Sequence, residues 1–164
     1  MPAINSGKKA PDFILTATDG KSYSLKEALD KNLTLIVFYK DTCPTCQFTL
    51  PYMERIYQGY RDKGLQVLGI EQDDKERTIA FSKQYGVYFP ALVDQDNYKV
   101  SYAYEIDTVP TVFLVDKNGE ILFSSVGFVK DEISELSKKI AEKLGVKNFE
   151  VFKPGEYVPA LKAG

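Results

Sequence analysis

Residues 33–46 read LTLIVFYKDTCPTC, and within them a continuous apolar run leads directly into two cysteines. The run, 33–39, is rich in β-branched and aromatic side chains, which is typical of a central strand buried on both faces. A helical pattern follows over about 44–62, and Pro51 within it removes a backbone donor and should kink the helix. Cys43 is therefore predicted to lie at the junction of a buried strand and a helix.

The spacing of the two cysteines predicts a different role for each. Cys43 comes at the helix N-terminus, where free backbone N–H groups and the helix dipole favour a nucleophilic thiolate. Cys46 follows three residues later, about one helical turn on, and is placed to resolve a mixed disulfide formed by the first sulfur. Pro44 suits the first helical turn, and together with Thr45 it lies between the sulfurs, where both should tune the redox potential.

The sequence around the cysteine pair leaves two other uses open. A structural zinc ion usually needs four Cys or His ligands, whereas the chain has two cysteines and no histidine. A purely structural disulfide is the second alternative, although small secreted disulfide scaffolds use more cysteines spread along the chain. The lack of histidine also excludes mechanisms that depend on a histidine base, so redox chemistry is the favoured interpretation and no metal site is predicted.

Strand-like and helix-like patterns alternate along the rest of the chain. We predict the following segments: a hairpin turn at 18–21, a helix capped by Ser24 through Leu29, strands at 65–70, 111–115 and 120–126, and helices at 74–85 and 130–144. This order predicts an α/β fold with a central mixed sheet, helices on both faces and an N-terminal hairpin extension. We expect a single domain over 1–164, with a core at about 7–144 and an apolar tail, 145–164, packed on it.

Composition limits the possible partners. With 44% hydrophobic and 27% charged residues, the chain should fold, and a net charge of −2 without a basic run does not point to nucleic acid. No apolar stretch approaches the ~20 residues of a membrane span. The first nine residues lack the apolar core of a signal peptide, which predicts a cytoplasmic location, or a periplasmic or membrane-anchored one if a leader has been lost. We expect a monomer.

Four groups of residues resemble the thioredoxin superfamily, in its redoxin branch of TlpA-like and AhpC/TSA-related proteins. They are 7–13 (GKKAPDF), 38–46 (FYKDTCPTC), the helix proline Pro51, and VPT at 109–111 followed by FLVD at 113–116 and Gly119. The resemblance spans about 7–144. It implies a thioredoxin fold, in which three α/β/α layers surround the mixed sheet.

The resemblance also implies a site and an activity. Val109–Pro110 should be a cis peptide that faces the cysteines, although a trans proline that starts a strand is the alternative. Pro110 has no N–H to crowd the sulfurs, and the backbone of Val109 is then free to pair with an extended substrate. The implied enzyme is a thiol–disulfide oxidoreductase that exchanges disulfides with protein substrates and is regenerated by an external thiol donor. No cofactor is predicted, because no dinucleotide or phosphate loop is visible.

The chain departs from the family pattern around the cysteines. Thr42 stands where a tryptophan is usual, and the resemblance implies that this position binds substrate or tunes the pair. Val37 stands where a buried acid is often found, and Thr49 where many TlpA-like proteins have glutamate. The usual proton acceptors for Cys46 are therefore missing from both positions.

Three other residues are candidates for that proton. Glu71, at the end of the second central strand, is the first, and Lys40 and Asp41 are the others. An ordinary solvated carboxylate at Glu71 is the competing interpretation.

Two other function classes compete with disulfide exchange. A peroxiredoxin shares the N-terminal pattern, but it needs Thr or Ser where this chain has Lys40 and proline where it has Ile36. A non-catalytic module is the second. Copper delivery would require a longer cysteine spacing and a histidine, so a redox sensor that changes a partner contact through its tail is the form that stays open.

Overall fold

The structure, a computed structural model, describes residues 4–164; residues 1–3 of the predicted domain lie outside the described residues. In chain order the elements are β1 (Ile14–Thr16), β2 (Ser22–Ser24), α1 (Leu25–Lys31), β3 (Leu33–Tyr39), α2 (Pro44–Tyr60), a 3-10 helix (Arg61–Lys63), β4 (Leu65–Glu71), α3 (Lys75–Tyr85), β5 (Ala91–Val93), α4 (Lys99–Ala103), β6 (Thr111–Val115), β7 (Ile121–Val126), β8 (Phe128–Val129), α5 (Lys130–Leu144) and β9 (Leu161–Lys162). Among these described helices, none is long and apolar enough to cross a membrane.

The apolar run at 33–39 forms the middle strand of a five-stranded sheet with the order β5-β4-β3-β6-β7. All seven residues of β3 are buried, as predicted for a central strand. It pairs in parallel with β4 and antiparallel with β6, so the sheet is mixed. The hairpin β1–β2 precedes it, and the side chain of Ser24 caps α1 by accepting the backbone N–H of Glu27 at 3.0 Å.

Helices lie on both faces of this sheet. Neighbouring residues of a strand point to opposite faces. On β3, the Phe38 ring lies 5.2 Å from that of Tyr104 at the end of α4, whereas the Tyr39 ring lies 5.0 Å from that of Phe81 on α3. The two helices therefore cover opposite faces, and the predicted three-layer arrangement is confirmed.

Helix α2 begins directly after Cys43, which is its N-cap residue. The helix continues on both sides of Pro51, and the kink there stays a prediction. Its α-helical part ends at Tyr60, two residues before the predicted end, and the chain closes with the 3-10 helix and Gly64 at φ 110°. Only glycine adopts this left-handed conformation without steric cost, so it ends the helix and turns the chain into β4.

The residues after α5 pack against the rest of the chain. Val151 and Val158 are buried in the core. The Tyr60 hydroxyl accepts the backbone N–H of Phe149 at 2.8 Å and donates to the Ser137 carbonyl at 2.9 Å. At the far end, β9 pairs antiparallel with β8. The tail thus contacts α2, α5 and β8.

Candidate active site

Cys43 is held where a strand gives way to a helix. β3 ends at Tyr39, and the sulfur of Cys43 accepts the backbone N–H of Cys46 at 3.0 Å. A hydrogen bond of this kind, at the positive end of the helix dipole, stabilises negative charge on sulfur. The residue is 7% exposed, so little of it meets solvent.

A second segment of the site comes from a distant part of the chain, just before β6. The thiol of Cys43 donates to the backbone carbonyl of Val109 at 3.5 Å, across 66 residues of sequence. The Val109–Pro110 peptide is cis, as predicted. Antiparallel pairing of β6 with β3, with Phe38 opposite Thr111, brings this peptide beside the end of β3 and hence beside the cysteines.

Cys46 has a different environment from its partner. It is fully buried on α2, and it is a free thiol, as is Cys43. Burial raises the pKa of Cys46 well above its ordinary value, the adjacent Cys43 sulfur adds to this, and the backbone and charge of Lys40 oppose it. This thiol holds its proton at neutral pH, so a second step that uses it needs a proton acceptor.

A cleft of about 410 Å³ opens beside Cys43. It is lined by Lys40, Thr42, Cys43, Pro44, Gln72, Ile106, Asp107, Thr108, Val109 and Gly164. Thr42 and Pro44 are exposed at its edge, where a substrate would meet them. Thr45 is buried instead, and its hydroxyl donates to the carbonyl of Ala163 at 2.5 Å. Nothing in the sequence pattern predicted that the tail contributes to this site, because the contact joins residues 118 positions apart.

Glu71 lies in the interior and not in solvent. It sits opposite Tyr39 in the β3–β4 pairing and is fully buried. Neither of its carboxyl oxygens has a hydrogen-bond partner among the described residues. Burial, with the nearby Asp73 carboxyl as the second cause, raises the pKa of Glu71 to about 9. The competing interpretation of a solvated strand-end carboxylate is therefore wrong, because the Glu71 side chain is excluded from water.

The other two proton-acceptor candidates have different surroundings. The guanidinium of Arg77 makes two hydrogen bonds to the Asp41 carboxylate, at 2.6 and 2.7 Å, and lies 3.4 Å from Asp73. Carboxyl oxygens of Asp41, Glu71 and Asp73 lie within 4.8 Å of one another, but this guanidinium already supplies a cation to two of them. Lys40 is exposed at the cleft. Glu71 is thus the one buried candidate of the three.

The sequence that forms this cysteine-capped helix and the adjacent cis-proline matches a known family. The sequence model of the AhpC/TSA family matches residues 6–124 of this chain, which is more than two thirds of its length. The chain belongs to the AhpC/TSA family. The predicted membership of the redoxin branch of the thioredoxin superfamily is thereby confirmed.

Relatives that resemble the chain carry disulfide-exchange names. The thiol–disulfide oxidoreductase ResA of Bacillus thuringiensis (strain Al Hakam) is 32% identical over 136 residues, which cover 82% of this chain and 78% of that protein. ResA of Geobacillus kaustophilus is 32% identical over 120 residues, covering 73% and 68%.

Solved structures agree with this grouping. The crystal structure of a proposed thiol:disulfide interchange protein DsbE from Chlorobium tepidum superposes with a TM-score of 0.78 at 28% identity, over 87% of this chain and all of that one. The solution structure of a proposed protein disulfide isomerase from Bacteroides thetaiotaomicron gives 0.81 at 27% identity, over 88% and 95%. The AhpC/TSA-family protein described here is thus a thiol–disulfide oxidoreductase with a thioredoxin fold, and both predictions are confirmed.

Proposed function

We propose that this enzyme reduces disulfides of protein substrates, with Cys43 as the attacking thiolate and Cys46 as the resolving thiol. The observation that carries the proposal is the asymmetry of the pair. Cys43 caps α2, accepts a backbone N–H and opens to the cleft, whereas Cys46 is fully buried and holds its proton. Only the first sulfur combines a helix-cap position with a place in the cleft, the two features that favour attack on a substrate disulfide.

The reaction has two exchange steps. The Cys43 thiolate attacks one sulfur of the substrate disulfide, which forms a mixed disulfide and releases the other substrate sulfur as a thiolate. Cys46 then loses its proton and attacks the Cys43 sulfur, which forms the Cys43–Cys46 disulfide and frees the second substrate thiol. An external thiol donor reduces that disulfide. Because one chain supplies both cysteines and the cleft, we propose that a monomer is sufficient.

The direction of electron flow is testable by redox titration. A reductase of the cytoplasm, the predicted location, must have a potential below that of the glutathione pool, about −220 mV or lower. We expect this result when the Cys43–Cys46 pair is equilibrated with glutathione and then alkylated for a gel shift. The gel shift replaces fluorescence, because the chain has no tryptophan. A potential near −120 mV, typical of strong oxidants, would contradict the reductase direction.

We further propose that Glu71, in its ionised form, accepts the proton of Cys46. The Tyr39 hydroxyl is buried and has no hydrogen-bond partner among the described residues. Burial raises the pKa of Tyr39 well above its ordinary value, and negative charge on Glu71 and on Cys46 adds to the effect. The charges of Glu71 and Cys46 therefore act on one buried hydroxyl, which supports electrostatic coupling between the two groups.

Glu71→Gln is expected to slow the resolving step, because the amide cannot take up a proton. The rate of this step in the wild-type protein should rise with pH up to about 9, the raised pKa of Glu71. The variant should be about tenfold slower near pH 9, with a smaller loss at neutral pH, and its rate should keep rising with the ionisation of Cys46 without levelling off near pH 9. Stopped-flow measurement of mixed-disulfide decay gives the rate, and the exposed Glu76→Gln serves as the matched control. A rate–pH profile that is unchanged in Glu71→Gln would exclude the role.

The same variant has a second readout in stability. The folded protein keeps the Glu71 proton up to about pH 9, the raised pKa of this carboxyl, while the unfolded chain releases it near its ordinary pKa of 4.5. The contribution of the protonated Glu71 to the free energy of unfolding is therefore fully present below about pH 4.5 and is lost as pH rises towards 9. Between pH 5 and pH 9 the wild-type unfolding free energy should fall relative to that of Glu71→Gln by about 1 kcal/mol or more. Parallel curves from urea unfolding would contradict the buried, neutral carboxyl.

A further inference from the structure

The end of the tail lies against the reactive sulfur. We define the C-terminal segment as residues 161–164, which follow Ala160 and include β9. In it, Leu161 and Lys162 pair with β8, the Ala163 carbonyl accepts the Thr45 hydroxyl, and Gly164 lines the cleft beside Cys43. A segment more than one hundred residues away in sequence is thus seated over the residues between the two cysteines.

Two glycines show how closely this segment is seated. A Cβ atom on Gly164 would lie 2.6 Å from the Val109 carbonyl oxygen and 2.7 Å from Cγ2 of Thr108. A Cβ atom on Gly127, whose φ is 74°, would lie 3.0 Å from the Lys162 carbonyl oxygen. Backbone therefore meets backbone on both sides of the segment, and neither glycine has room for a side chain.

The Val109 carbonyl is the point where the segment and the reactive sulfur meet. The same oxygen that faces Gly164 accepts the Cys43 thiol at 3.5 Å. An extended substrate chain that followed the backbone of Val109 would need the space that Gly164 occupies. The opposite side of the cleft is lined by Lys40, Thr42 and Gln72, and Lys40 and Thr42 are exposed there.

The segment is attached lightly compared with the tail that precedes it. Its four residues are exposed, Leu161 by 65% of its surface, whereas Val158 is buried. Besides the short β8–β9 ladder and the Thr45 bond, the Lys162 ammonium lies 5.2 Å from the centre of the Phe48 ring. Few buried contacts and exposed backbone bonds are the features of a region that opens locally without unfolding the domain.

We propose that residues 161–164 determine which disulfides reach Cys43. In the seated position they leave the open side of the cleft to small disulfides and close the Val109 side to extended or bulky ones. A protein disulfide then reacts only with the fraction of molecules in which the segment has withdrawn. The proposal rests on the proposed function, in which the Cys43 sulfur attacks protein disulfides.

The test compares two maleimide probes of very different size. On a Cys46→Ser background, where Cys43 is the one cysteine, alkylation by N-ethylmaleimide is compared with alkylation by a polyethylene-glycol maleimide. A chain ending at Ala160 should raise the ratio of bulky to small alkylation rates about tenfold, since every molecule is then open. In the two-cysteine protein, kcat/KM for insulin should rise by a similar factor, while that for hydroxyethyl disulfide should stay within about twofold.

Point variants guard against an effect of truncation on the fold. Gly164→Ala should displace the segment through the clash with Val109 and shift the ratio in the same direction. Lys162→Ala should shift it less, and Lys147→Ala, which removes an exposed lysine elsewhere on the tail, should not shift it. Unchanged ratios in the truncated and Gly164→Ala proteins would overturn the proposal. If the maleimide ratio shifts but neither disulfide is reduced, the proposed function fails and the segment's control of access stands.

Discussion

Cys43→Ser is expected to reduce disulfide exchange to the uncatalysed rate, a loss of about three orders of magnitude or more. A serine hydroxyl is not ionised at neutral pH and forms no mixed disulfide, so the first step has no nucleophile. The substitution should not disturb the fold, because serine is itself a favoured N-cap residue and keeps an acceptor for the Cys46 N–H. The measurement is insulin reduction with dithiothreitol as donor, read as turbidity.

The control for Cys43→Ser is its thermal unfolding, which should match that of the wild-type protein within a few degrees. A Cys43→Ser protein that folds normally and is inactive supports the role of the sulfur. A variant that unfolds at a clearly lower temperature would mean that the loss of activity comes from disturbed packing. Full activity in a folded Cys43→Ser protein would refute the assignment of the nucleophile.

The second large effect is expected from Cys46→Ser, which should convert the enzyme into a trap. Cys43 keeps its helix cap and attacks normally, but no resolving thiol remains, so the mixed disulfide accumulates. Turnover should stop after about one substrate per enzyme, and covalent adducts should appear on a non-reducing gel and vanish with dithiothreitol. Because Cys46 is fully buried, serine must replace it in the core at a modest cost in stability.

A matched variant makes the trap specific. Cys43→Ser/Cys46→Ser should form no adduct, because the chain has no other cysteine. Applied to a cell extract, the single variant would capture the protein substrate and the thiol donor together. If adducts of Cys46→Ser decay as fast as those of the wild-type protein, Cys46 is not the resolving thiol.

Local features of the chain predicted the parts of the fold that depend on near neighbours. The apolar run of β3, the Ser24 cap of α1 and the cysteine cap of α2 each depend on residues within a few positions. Strand burial, capping and helix dipoles act over such distances, so these elements follow from pattern alone. The position of the peptide before Pro110 came from the family resemblance, since no local rule brings it to the cysteines.

The environment of Glu71 could not be predicted in the same way. In sequence it ends a strand, where carboxylates are usually solvated. In the structure Glu71 is fully buried, and neither carboxyl oxygen has a hydrogen-bond partner among the described residues. Burial depends on how an entire layer packs, which is a property of many distant contacts.

The amino-acid sequence alone was sufficient to predict the redox pair, its place at a strand–helix junction and the α/β/α layers around it. Only the tertiary structure showed Glu71 in the interior and Gly164 over the cleft. The physical reason is the range of the interactions. Caps and strand patterns arise from neighbours along the chain, whereas access to a sulfur and the proton affinity of a carboxyl depend on which distant surfaces exclude water from them.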